Sequence, residues 1–410
     1  MTRLRLVGGS SLWIVALLIA CTPAHGARET VGASWVGSWE ASPQLTEPRN
    51  LPPAPGLNGS TLRQVMHLSL GGSRLRLRLS NEYGDTPLRI ASVGIAHSVG
   101  GDAIDATSGA QLHFGGAASV VIQAGSFVIA DDIDFLCAPL SEIAVSIYVE
   151  QAPSNVTGHP GSRTTSYIIA GDHVSSASLL GAAKTEHWYL LAGVDVLTND
   201  ASAAAVVVLG NSIADGRGSG IDKNDRWPDN LARRLQADAR TRNVAVLNAG
   251  IGGNAVVRGG IGPTGIARFD HDVLAQTAAR WVIVSDGVND IGNAVGADSS
   301  ASVARQLIRA YASMIERAHA KGFRIYGATI LPFGASFYST PEHEVARQSV
   351  NSWIRGSGAF DAVIDLDVAM RDPADPSRLL PAADGGDHLH PNELGYRMMA
   401  DAIDLGLFRH

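Results

Sequence analysis

Ala203-Ala204-Ala205-Val206-Val207-Val208-Leu209-Gly210-Asn211-Ser212-Ile213 is the stretch on which the fold turns. From Ala203 to Leu209 the run is apolar without a break, the pattern of a strand buried on both faces. Downstream, Trp227, Leu231 and Leu235 recur at i, i+4 and i+8 and predict a helix. Strands follow at Val244–Leu247, Trp281–Val284, Phe323–Ile330 and Ala362–Ile364. A long helix is predicted around Val303, Leu307, Tyr311, Ile315 and Ala318, and Gly322 stands where it should stop. Thr340-Pro341 supplies a cap and first-turn residue for another helix, and Glu393–Leu405 reads as the last. Strands alternating with helices mean a parallel sheet covered on both faces, hence an α/β region over residues 200–410.

Upstream the grammar differs. Arg74-Leu75-Arg76-Leu77-Arg78-Leu79 alternates strictly, and Ile143, Val145, Ile147 and Val149 alternate again. Gly71-Gly72, Gly84-Asp85, Gly100-Gly101 and Gly115-Gly116 punctuate the stretch with turns. Residues 30–195 therefore read as an all-β, sandwich-like domain. Two domains also suit a length of 410 residues.

Residues 1–26 read as an export signal: Arg3 and Arg5 precede the apolar run Leu12–Ala20, which is short for a membrane span. Two cleavage readings stand. Leu18-Ile19-Ala20-Cys21 resembles a lipobox, which would leave a lipidated Cys21 as the new N-terminus. Ala24-His25-Gly26 before Ala27 resembles an ordinary signal-peptidase site. Either way the expectation is an exported protein that meets the membrane only through such an anchor. Two cysteines exclude a disulfide framework, and Cys137 is expected as a small buried hydrophobe. The net charge of −7, with no basic block, argues against nucleic acid as a partner.

In a parallel α/β sheet the chemistry lies beyond the carboxyl ends of the strands. Three such loops carry polar residues: Gly210-Asn211-Ser212-Ile213, Asn248-Ala249-Gly250-Ile251-Gly252-Gly253-Asn254, and Gly287-Val288-Asn289-Asp290. Asp387-His388-Leu389-His390-Pro391 stands near the C-terminus. Ser212 follows a strand and opens a helix, a place for a nucleophile near a positive dipole end or for a helix-capping serine. The turn after Leu209 lacks the G-x-G-x-x-G fingerprint of a dinucleotide site.

In this order the blocks, together with Arg226-Trp227-Pro228-Asp229-Asn230-Leu231, resemble the SGNH/GDSL hydrolase family of serine esterases. The β region resembles the extra domain of a secreted bacterial branch of that family. The resemblance implies a flavodoxin-like three-layer domain and an acyl-serine mechanism without a cofactor or metal. It assigns Ser212 as nucleophile, His390 as general base and Asp387 as the carboxylate that orients it. The oxyanion donors it implies are the backbone N–H groups of Ser212 and Gly253 and the amide of Asn289, with Gly252 able to replace Gly253. Asp290 is expected to be structural, and His388 lacks the three-residue spacing from Asp387. The implied substrates are small esters or acylated carbohydrates, with short acyl groups such as acetyl expected. A lipase or phospholipase-type acylhydrolase, and a glycan-binding protein without turnover, are the other readings. Asp384, Asp387, His388 and His390 could instead be metal ligands. The family's first block most often has an aspartate where this chain has Asn211, a difference that bears on local electrostatics rather than on the triad.

Overall fold

Five parallel strands form the centre of the α/β region, in the order Val244–Gly250, Ala204–Gly210, Ala279–Ser285, Arg324–Ala328, Ala362–Ile364. This is the flavodoxin-like order 2-1-3-4-5, which puts the switch point beside the first strand. The computed structural model describes residues 1–2 and 32–409. The segment read as an export signal, residues 1–26 with Cys21, lies outside the described residues apart from Met1 and Thr2. Among the described residues no helix is long and apolar enough to cross a membrane.

The apolar run behaves as its composition requires: Ala204–Gly210 is buried at every position. Helices Trp227–Ala237, Gly296–Ala320, Pro341–Gly356 and Glu393–Asp401 turn their apolar stripes into one core with this sheet. Thr340 caps its helix by accepting from His343 N, and Gly322 follows the Gly296–Ala320 helix at φ 78°. Two ends differ from the periodicity. The strand after Gly322 stops at Ala328, and Ile330 N donates instead to Asn351 Oδ1. The last helix stops at Asp401, and Asp404 caps a separate short turn, Leu405–Phe408, by accepting from Gly406 N.

The β region consists chiefly of two antiparallel sheets around a second core. Leu75, Leu77 and Leu79 of the alternating strand Gly72–Asn81 meet Ile143, Val145, Ile147 and Val149 of Glu142–Gln151 in that core. Cys137 is buried there too, as expected. Residues Gly32–His410 form one compact unit, so the two cores are joined rather than strung on a linker. The join protects the edge of the parallel sheet. Val246 N, on the edge strand, donates to Ser69 Oγ, and Gly37 N donates to Thr277 O. Gly37 is pressed so close that a β-carbon would lie 2.9 Å from Leu247 Cδ1.

Candidate active site

Ser212 stands directly beyond the carboxyl end of the Ala204–Gly210 strand, as the first residue of a one-turn helix, Ser212–Asp215. The capping residue is Asn211, whose Oδ1 accepts from Ile213 N at 3.0 Å. The serine hydroxyl is thereby released from capping. The turn ends after four residues at Gly216, φ 100°, too short for a large macrodipole.

Ser212 Oγ lies 2.8 Å from His390 Nε2, and His390 Nδ1 lies 2.7 Å from Asp387 Oδ2. The second contact fixes the tautomer. Nδ1 faces a carboxylate and carries the proton, which leaves the Nε2 lone pair facing the serine hydroxyl. The Asp-x-x-His spacing achieves this within one turn, because the backbone N–H groups of Leu389 and His390 donate to Asp387 Oδ1. Burial holds the His390 pKa below its ordinary value; Asp387 opposes that, and Arg217 and Arg163 reinforce it. Burial works to raise the Asp387 pKa, but hydrogen bonds from His390 outweigh it and hold the carboxylate below its usual range. The neighbouring His388 turns away and pairs with Asp384 at 2.5 Å. The four residues weighed as metal ligands thus separate into two Asp–His pairs.

Among the described residues the backbone N–H groups of Ser212 and Gly253 meet no protein acceptor, and both residues line the same cleft. Gly253 has φ 74°, a left-handed conformation that suits glycine, and a β-carbon there would sit 3.0 Å from Ile261 Cδ1. Asn289 is held from two sides. Its Nδ2 donates to Asn254 O at 2.7 Å, and its Oδ1 accepts from Tyr338 Oη at 3.1 Å, so the remaining Nδ2 hydrogen is available to the cleft. Asp290 accepts from Val256 N and Val257 N and ties down the neighbouring loop.

Residues from the β region complete the site, and motif reading could not place them. His159 Nε2 pairs with Asp215 Oδ1 at 2.9 Å, both side chains being buried, while His159 Nδ1 lies 2.9 Å from Ser42 O. Gly161 lies so close that a β-carbon would fall 1.8 Å from Asp215 Oδ2. Arg268 gathers the strand ends: it donates to Gly210 O, Ala249 O and Asn254 Oδ1, and also to Ser42 Oγ of the β region. The cleft has a volume of about 330 Å³, and Glu47, Arg49, Arg163 and His187 line it together with Ser212 and His390.

Residues 208–398, which contain all of these motif residues, match the GDSL-like lipase/acylhydrolase family. The chain carries a GDSL-like lipase/acylhydrolase domain over these residues. With that domain it is an ester-hydrolysing enzyme. Similar solved structures include a lipase/acylhydrolase from Enterococcus faecalis (19% identity, 48% of this chain and 92% of that one, TM-score 0.36). A catalytic mutant of an acetylxylan esterase from Geobacillus stearothermophilus is similar at 20% identity, over 49% of this chain and 92% of that one, with TM-score 0.37. A GDSL-like lipase from Bacteroides thetaiotaomicron VPI-5482 is similar at 22% identity, over 48% of this chain and 84% of that one, with TM-score 0.34. No curated protein matches the chain.

Proposed function

We propose that this acylhydrolase is an exported serine esterase that removes short acyl groups, acetyl above all, from carbohydrate-linked esters. The observation that carries the mechanism is the continuous chain from Ser212 Oγ through His390 to Asp387, with contacts of 2.8 and 2.7 Å. Ser212 Oγ attacks the ester carbonyl as His390 Nε2 takes its proton. The oxyanion that forms is met by the free N–H groups of Ser212 and Gly253 and by the remaining amide hydrogen of Asn289. His390 then gives its proton to the departing alcohol oxygen, leaving the acyl group on Ser212. Water, deprotonated by the same imidazole, attacks the acyl-serine and frees the acid. Asp387 stabilises the imidazolium at each stage and keeps its own negative charge.

The charged and polar side chains of Glu47, Arg49, Arg163 and His187, which line the open cleft alongside Ile261 and Phe337, support a sugar-sized alcohol rather than a long acyl chain. Export rests on the charged and apolar start of the sequence. The experiment is a series of p-nitrophenyl esters from acetate to decanoate, with acetylated xylan as the polymeric substrate. The expected result is a kcat/KM that is highest for acetate and falls with chain length. A maximum at octanoate or decanoate would replace this reading with a lipase-type one.

A further inference from the structure

We propose that the cleft selects esters whose alcohol part carries a carboxylate, such as an acetylated uronic acid residue, and that Arg163 and Arg217 bind this anion with Arg49 at the rim. The inference rests on the esterase reading above and adds the charge of its substrate.

Arg49, Arg163 and Arg217 line the same cleft as Ser212 and His390. The two carboxylates that also line it are engaged elsewhere. Asp215 is bound to His159 at 2.9 Å, and Glu47 accepts from Asn50 Nδ2 at 2.9 Å and Gln44 Nε2 at 3.4 Å. Among the described residues Arg49 and Arg163 form no ion pair. Arg217 comes within 4.0 Å of Asp387 Oδ2, but that oxygen is already held by His390 at 2.7 Å. Along the cleft lining, three guanidinium groups against the two carboxylates leave one positive charge over.

Arg163 differs from the arginines that hold the fold together. Arg268 and Arg347 are surrounded by acceptors, and each forms an ion pair with an aspartate. Arg163 has a buried Nε with no partner, and it sits at φ 50°, where a side chain other than glycine is strained. Its backbone is pinned there: Asp222 N donates to Arg163 O, and the Asp222 carboxylate accepts from Thr165 N and Oγ1. A strained residue with an unused planar donor, aimed at no protein group, suits a ligand that arrives with two oxygens.

The side of the substrate follows from the chemistry. His390 must reach the leaving alcohol oxygen, so groups beside His390 flank the alcohol and not the acyl group. The Arg217-Gly218 turn lies against His390, a β-carbon on Gly218 falling 3.9 Å from His390 Cβ. Both Arg163 and Arg217 are also close enough to disfavour a proton on His390.

The test compares kcat/KM for a mono-O-acetylated methyl glucuronoside with that for the matching glucoside, at low and high salt. p-Nitrophenyl acetate serves as a neutral reference. The expected result is a preference of about 10- to 100-fold for the glucuronoside, shrinking in high salt. Arg163→Gln and Arg217→Gln should each cut the ratio by about tenfold. The exposed Arg217 side chain keeps the test independent of folding around Arg163. A ratio near one with good p-nitrophenyl acetate turnover overturns this inference alone. No turnover of p-nitrophenyl acetate overturns the esterase reading and this inference with it. A preference seen only between p-nitrophenyl hemisuccinate and p-nitrophenyl butyrate would put the anion on the acyl side and also contradict the assignment.

Discussion

Asn211 Nδ2 donates to Asp286 Oδ1 at 2.9 Å, while Asn211 Oδ1 caps the turn that carries Ser212. Gly287 N also converges on Asp286 Oδ1, and the buried Oδ2 has no partner. Two donors on one oxygen and none on the other leave half of the carboxylate unsolvated, which favours the neutral acid. Burial first, and the neighbouring Asp290 second, push the Asp286 pKa up to about 7. The asparagine at 211 thus does what an aspartate could not do as a charged group: it caps the turn and also donates to a buried acid.

Asn211→Asp would set two carboxyl groups in contact, one of which must keep a proton. At pH 6, kcat/KM for p-nitrophenyl acetate should stay within about tenfold of the parent chain. Stability should fall more steeply with rising pH in the variant, by roughly 1–3 kcal/mol at pH 8.5. Thermal melts of both chains at pH 6 and 8.5 check this, and parallel pH profiles would contradict it.

In the parent chain Asp286 holds a proton in the native state that the unfolded chain releases above pH 4. Stability conferred by this position is therefore lost as pH rises from about 4 to about 7, and is flat above that. Asp286→Asn should flatten that slope in urea titrations. An unchanged slope would mean that Asp286 is already ionised in the folded protein.

As the proposed general base His390 acts only when neutral, and burial lowers its pKa from the ordinary value of 6.5. The acid limb of kcat/KM should consequently have its midpoint below 6.5, with a plateau through neutral pH. Removing the Arg217 charge, which also lowers that pKa, should move the midpoint upward. A midpoint above 7 in the parent chain would assign the limb to another group.

Tyr338 Oη fixes which end of the Asn289 amide faces the cleft. Tyr338→Phe should lower kcat by about three- to tenfold with little change in KM, since an oxyanion donor is used mainly in the transition state. An effect confined to KM would make Tyr338 a substrate contact instead.

The parallel sheet was readable because strands buried on both faces must be apolar throughout, as Ala204–Gly210 is. The Ser212, Asn289 and Asp387–His390 segments were readable because each lies on a short loop whose residue order is itself the signal. The strand order 2-1-3-4-5 is long-range and leaves no periodicity. The same holds for Arg163, which reaches the cleft from the β region, and for the pair His159–Asp215, separated by 56 residues. Asp286 was hidden for another reason: next to a turn it reads as a solvated acid, and only burial beside Asn211 makes it unusual. The end of the last helix was missed because Asp404 starts a fresh cap, which apolar spacing alone does not register.

On the proposed mechanism Ser212 carries the acyl group. Ser212→Ala, purified and shown by circular dichroism to be folded, should be compared with the parent chain on p-nitrophenyl acetate. The expected result is a loss of about 10³-fold or more in kcat, together with an acetyl adduct on Ser212 of the parent chain in rapid-quench mass spectrometry. Turnover of Ser212→Ala at the parental rate would contradict it.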